Sequence, residues 1–173
     1  MKLSAIRQNI KEEQKANSIY FRFEDGLNTL RFVSEILPIF KSFENGKAKV
    51  YLTEAGAAKD TSKDGPRRRF LVWAIDRKTN TIKQVEFGGS VMDQIFDIAG
   101  TPGYEFDETP NYDFHITKTG ENLDTNYAVV GARSDTPITE DEKQKILGLE
   151  PLIESVKKDA VDLKEIDPNQ PPF

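Results

Sequence analysis

Between residues 67 and 87 the chain has few conformational choices. Three arginines (Arg67, Arg68 and Arg69) lead into "FLVWAID", and Arg77-Lys78-Thr79-Asn80 forms a polar link to a returning stretch, "TIKQVEF". Two β-rich runs joined by so short a link predict an antiparallel hairpin. Alternation sets Arg69, Leu71, Trp73, Ile75 and Arg77 on one face, and Arg68, Phe70, Val72, Ala74 and Asp76 on the other. One face must pack a core, and a one-residue shift of register exchanges which aromatic residue turns inward.

Other elements group around this hairpin. Leu3, Ile6 and Ile10 recur at helical spacing, so residues 1–17 read as an N-terminal helix. From Ile19 to Phe43 the pattern is extended: Ile19, Phe21 and Phe23 alternate with Tyr20 and Arg22, and Pro38 suits an edge or a bend. Glu44-Asn45-Gly46 is a turn, followed by a strand from Ala48 to Thr53. Glu54 to Pro66 is small, charged and glycine-containing, the composition of a long mobile loop. Ser90 suits the N-cap of a helix carrying Val91, Ile95 and Ile98, closed by Gly100 and Pro102. Strands are expected at Tyr112 to Lys118 and Tyr127 to Gly131, and Thr139-Glu140-Asp141-Glu142 opens a capped helix. A mainly β fold follows, with the layout of a five-stranded OB barrel whose helix lies between strands 3 and 4. The expected segments are the helix at 1–17, the OB domain at 18–135, a helical extension at 136–160 and a disordered acidic tail at 161–173.

Charge is segregated. The net charge is −5 over 173 residues, yet residues 22–83 carry 13 Lys/Arg against 8 Asp/Glu. Residues 84–134 carry 2 against 9, and residues 135–173 carry 5 against 10. A basic strand region can hold an anionic partner even when the whole molecule is acidic. Cysteine is absent, which excludes disulfides, thiolate zinc sites, iron–sulfur clusters and cysteine nucleophiles. A cytoplasmic protein is expected, since the N-terminus lacks a signal-like apolar segment and no apolar run is long enough for a bilayer.

No catalytic constellation is visible. His115 is the only histidine and has no nucleophile near it in sequence. "DTSKDG" (Asp60 to Gly65) opens like a calcium loop, but Leu71 stands where a bidentate glutamate is required. Glu105, Asp107, Glu108 and Asp113 read as a solvated acidic loop, so no metal and no cofactor are expected. The cations and rings of the hairpin suit single-stranded nucleic acid instead, because phosphates attract the charges and bases stack on aromatic faces. The expected contacts are Arg67, Arg68, Arg69, Arg77, Lys83, Lys49 and Lys118 to phosphates, and Phe70, Trp73 and Tyr51 to bases.

The block W-x-x-D-R-x-T-N-x-x-K (Trp73 to Lys83) resembles the single-stranded DNA-binding proteins of tailed bacteriophages. The likeness continues through Gly88-Gly89-Ser90-Val91, "YDFHITKTG" (Tyr112 to Gly120) and Leu123 to Tyr127, and covers about residues 20–135. It implies a non-enzymatic OB-fold protein that coats replication, recombination or repair intermediates. The acidic end, Pro171-Pro172-Phe173, is similar to the partner-recruiting tails of bacterial single-stranded DNA-binding proteins. Two alternatives use the same residues: an RNA-binding OB module, and a protein-interaction module whose arginines dock an acidic partner.

Overall fold

The protein is described by a computed structural model over residues 2–164, with the side chains of 15–17, 163 and 164 left out. In chain order the elements are α1 (Leu3–Asn17), β1 (Gly26–Phe32), β2 (Leu37–Glu44), β3 (Lys47–Tyr51), α2 (Glu54–Ala57), β4 (Arg67–Asp76) and β5 (Thr81–Phe87). There follow α3 (Gly89–Ala99), β6 (Phe114–Thr119), β7 (Asn126–Gly131), α4 (Glu140–Leu147), α5 (Leu152–Lys157) and α6 (Val161–Lys164).

The expected hairpin forms as β4–β5, in register from Phe70↔Phe87 to Asp76↔Thr81. The other edge of β4 is shared. Its C-terminal part pairs with β1 (Phe32↔Ala74) and its N-terminal part with β2 (Leu37↔Leu71 to Lys41↔Arg67). The expected extended stretch therefore bends at Ser34, whose hydroxyl accepts the Trp73 backbone N–H at 2.9 Å. Pro38 lies on β2 where only β4 is paired with it, since β3 ends at Tyr51 opposite Phe40, so its missing N–H is tolerated.

The sheet has seven antiparallel strands and is open, where a closed five-stranded barrel was expected. The two edges that barrel closure would join, those of β5 and β7, are already occupied. Ile19 to Phe21 lies parallel on the outer edge of β5, with Phe21 N–H donating to Gln84 O at 2.9 Å and Gln84 N–H to Ile19 O at 2.7 Å. On the outer edge of β7, the Gln94 amide of α3 donates to Tyr127 O at 2.8 Å and accepts from Val129 N–H at 2.9 Å. With those edges taken, β5 and β7 do not pair; Phe23 reaches across to Tyr127, ring to ring at 5.2 Å.

Five consecutive buried residues, Leu71 to Ile75, show that β4 is covered on both faces. On one side Val72 and Ala74 join Leu30, Phe32, Val85, Phe87, Phe114 and Ile116 beneath Val91, Met92 and Ile95 of α3. On the other, Leu71, Trp73 and Ile39 are capped by Leu152 and Val156 of α5. The C-terminal extension thus crosses the second face as a strap. Glu142 at its start meets Arg77 at 3.4 Å. At its far end Ala160 bridges to Val50 of β3.

Several local expectations change. The loop after β3 holds the short helix α2, N-capped by Thr53. Gly88, with no capping side chain, precedes α3, so Ser90 lies inside the helix rather than capping it. Thr139 and Glu142 do form the reciprocal capping box at α4. Residues 161–164, expected in the tail, form α6, and the Asp162 carboxylate accepts Thr53 N–H at 2.8 Å and Thr53 Oγ1–H at 2.7 Å. The rest of that tail, with Pro171, Pro172 and Phe173, lies outside the described residues.

Gln94→Ala would strip partners from two backbone groups of β7. We expect a loss of about 1–3 kcal/mol in unfolding free energy, measured by urea denaturation. An unchanged midpoint would mean that water satisfies that edge equally well.

Candidate nucleic-acid interface

The tight turn Asn45-Gly46 positions this surface. Both residues have positive φ (53° and 76°), the requirement of a two-residue hairpin turn, which glycine meets without steric cost. It folds β3 back on β2 and brings Lys41, Lys47 and Lys49 beside the arginine end of β4. Register then sets two rows: Val50, Lys41 and Arg67 on one face, Tyr51, Phe40 and Arg68 on the other. Residues 41–69 hold eight Lys/Arg and four Asp/Glu.

Not every cation here is available. Arg69 and Lys41 share Glu86, at 3.1 and 2.9 Å, and Lys49 is paired with Glu44. The hydrogen bond to Glu44 raises the Lys49 ammonium pKa above its ordinary value. Arg67 and Arg68 are exposed and form no ion pair among the described residues. The Arg68 guanidinium lies 5.3 Å over the Phe40 ring, and Lys41 Nζ lies 5.6 Å over Phe43. Phe43 is 65% exposed, although it is a large apolar ring. A cation over a half-buried ring and another over an exposed one match the stacking-plus-phosphate chemistry of an unpaired strand.

A carboxylate hub holds the neighbouring loop. Asp60 accepts hydrogen bonds from Ser42 Oγ at 2.6 Å, Tyr51 OH at 2.7 Å and Ser62 N–H at 2.9 Å, and also from Ser62 Oγ. These bonds, that from Ser42 foremost, hold its carboxyl well below the usual carboxylate range. The expected mobile loop is therefore tied to β2 and β3.

The sequence-predicted residues divide into three groups. Arg67, Arg68, Arg69 and Lys49 meet at this end. Phe70, Tyr51 and Trp73 do not present open faces: Phe70 stacks on Phe87 at 5.8 Å, Tyr51 is buried, and buried Trp73 donates its indole N–H to Glu150 O at 3.0 Å. Arg77 and Lys83 lie toward the opposite end of β4, whose ten residues span about 30 Å. Arg77 is engaged by Asp113 at 3.2 Å and by Glu142, and buried Lys83 donates to Ser18 O at 3.0 Å. Lys118, also remote, lies 3.7 Å from Asp25. Sequence reasoning missed Phe40, Lys41, Phe43 and Lys47, which the hairpin signal at Asn45-Gly46 could have brought to the arginines.

Elsewhere, His115 shares a 3.0 Å hydrogen bond with Thr29 on the adjacent strand. Among the described residues there is no group of three or more His, Cys, Asp or Glu side chains that could hold a metal ion, and Asp113 is committed to Arg77. No described helix is long and apolar enough to cross a membrane. Comparison with protein-family models, with curated proteins and with solved structures gives no match.

The Asp60 hub has a pH signature. Its folded pKa is depressed below the ordinary 3.8, so its stabilisation is complete above the unfolded value and is lost as pH falls below it. We expect the stability advantage of the native chain over Asp60→Asn to be largest near neutrality and to shrink below about pH 4, in urea unfolding followed against pH. An advantage that holds constant through that range would remove Asp60 from this role.

Proposed function

We propose that this protein binds single-stranded DNA with little sequence preference, without catalysing a reaction, and so protects replication, recombination or repair intermediates. The observation that carries the reading is that Arg67 and Arg68, on the two faces of one sheet end, are solvent-exposed and without carboxylate partners among the described residues, Arg68 over the Phe40 ring and Arg67 in the row of Lys41, which lies over Phe43. Three adjacent arginines repel one another unless an anion relieves them, and only Arg69 has an ion-paired carboxylate close by. The resemblance of Trp73 to Lys83 and of Tyr112 to Gly120 to tailed-phage single-stranded DNA-binding proteins adds to it.

The strand path supports an OB-like reading. Neighbours run β5, β4, β1, β6, β7, with α3 between β5 and β6, the layout of that barrel without its closing pair. The β2–β3 hairpin is an addition to it. In this proposal phosphates lie on Arg67, Arg68 and exposed Lys47, and a base stacks on exposed Phe43. The acidic C-terminal residues, through Pro171, Pro172 and Phe173, would recruit protein partners, and the protein would act in the cytoplasm, the host's if it is viral.

Fluorescence anisotropy with labelled oligothymidine tests this directly. Each lost phosphate contact should lower the log–log salt slope by about 0.7, so R67A/R68A should lower it by about 1.4 and weaken binding, with unfolding unchanged. An RNA oligonucleotide of matched sequence separates the RNA-binding alternative. Absence of any oligothymidine binding at low salt would overturn the proposal.

A further inference from the structure

A second open surface lies at the other end of β4. A cleft of about 1160 Å³ is bounded by α1, the residues before β1, β1 itself and the β4–β5 turn. Tyr20 and Leu27 line it, 62% and 63% exposed. Their exposure follows from the backbone. Phe21 and Phe23 turn inward onto the first core, so Tyr20 and Arg22, at the alternate positions, point outward. The Tyr20 ring is carried on a rigid base, because the backbone groups on either side of it, Ile19 O and Phe21 N–H, are both bonded to Gln84.

The lining of the cleft carries five Lys/Arg against four Asp/Glu, and most of these are already engaged. Glu24 is paired with Lys78 at 2.7 Å, and Asp113 with Arg77 at 3.2 Å. Asp76 accepts the Lys78 backbone N–H at 3.1 Å, and Glu12 accepts the Gln8 amide at 3.2 Å. Arg22 and Lys11 are exposed and form no ion pair among the described residues. An open phenol ring in the same cleft as an exposed guanidinium and ammonium offers a base a stacking face and its phosphate two cationic donors.

We propose that this cleft is a second contact for single-stranded nucleic acid, with one base stacked on Tyr20 and the adjoining phosphate held by Arg22 and Lys11. The inference rests on the binding function proposed above and adds a surface about 30 Å from the arginine end, the length of β4. A short strand then occupies one surface, and a longer one engages both.

The test compares oligothymidines of about 5 and about 25 nucleotides, below and above most single-fold site sizes, on the full chain. Both altered side chains are exposed, and unfolding midpoints confirm that each variant is folded. Y20A should weaken the long oligomer about fivefold or more, and R22A should weaken it and lower its salt slope by about 0.7. A long oligomer carrying bromodeoxyuridine should photo-crosslink to the peptide containing Tyr20. If Y20A and R22A bind the long oligomer like the native chain while R67A/R68A does not, the cleft is refuted and the first surface stands. If the native chain binds neither oligomer, the binding function itself fails, and this inference with it.

Discussion

Both hydrophobic layers of this molecule are built on one strand. β4 pairs with β5 on one edge and with β1 and β2 on the other, and it buries side chains on both faces. One layer is closed by α3, the other by α5, so the tightly packed interior runs through the sheet from Ile95 on one side to Val156 on the other. A strand in that position cannot lend its central side chains to a ligand. Only its ends reach solvent, and both candidate surfaces lie there.

Electrostatics sorts the arginines by the same geometry. Near the C-terminal end of β4, Arg77 and buried Arg31 lie beside Asp113 and Glu142. Burial lowers the Arg31 pKa, while Asp113 opposes that shift. Burial also works against the Glu142 carboxylate, but Thr139 and Arg77 outweigh it and hold its pKa down. Loss of Arg77 would leave the largely buried carboxylates of Asp113 and Glu142 without the guanidinium they share. This network fixes the start of the C-terminal strap, where the Arg31 guanidinium donates to Thr136 O. At the N-terminal end of β4, by contrast, Glu86 alone among the described residues pairs with Arg69 and Lys41, and Arg67 and Arg68 are exposed.

The edges explain why the sheet stays open. A barrel needs its first and last strands to find one another, and here a side-chain amide and an extended segment have taken those hydrogen bonds first. Gln94 supplies both a donor and an acceptor to β7, which is what an additional strand would offer at that position. The Ile19–Phe21 segment does the same for β5 and, in doing so, fixes Tyr20 outward above the cleft.

Local chemistry made much of this legible in advance. The β4–β5 hairpin, the α3 helix, the β6 and β7 strands, the Asn45-Gly46 turn and the Thr139 capping box depend on neighbours a few residues apart, so the amino-acid order determines them. Alternation also divided β4 correctly into two faces, Trp73 with Leu71 and Phe70 with Val72. It could not show that both faces would be covered, because the cover comes from residues 152–156, about eighty positions along the chain. For the same reason Trp73 could be read as an open ring when its indole meets Glu150, whereas Tyr51 is held more locally, by Asp60 nine residues on. The sequence by itself determined the β4–β5 hairpin and the run of arginines at its start. Only the tertiary structure decided which cations keep a free charge, since pairing depends on distance in space and not on order along the chain.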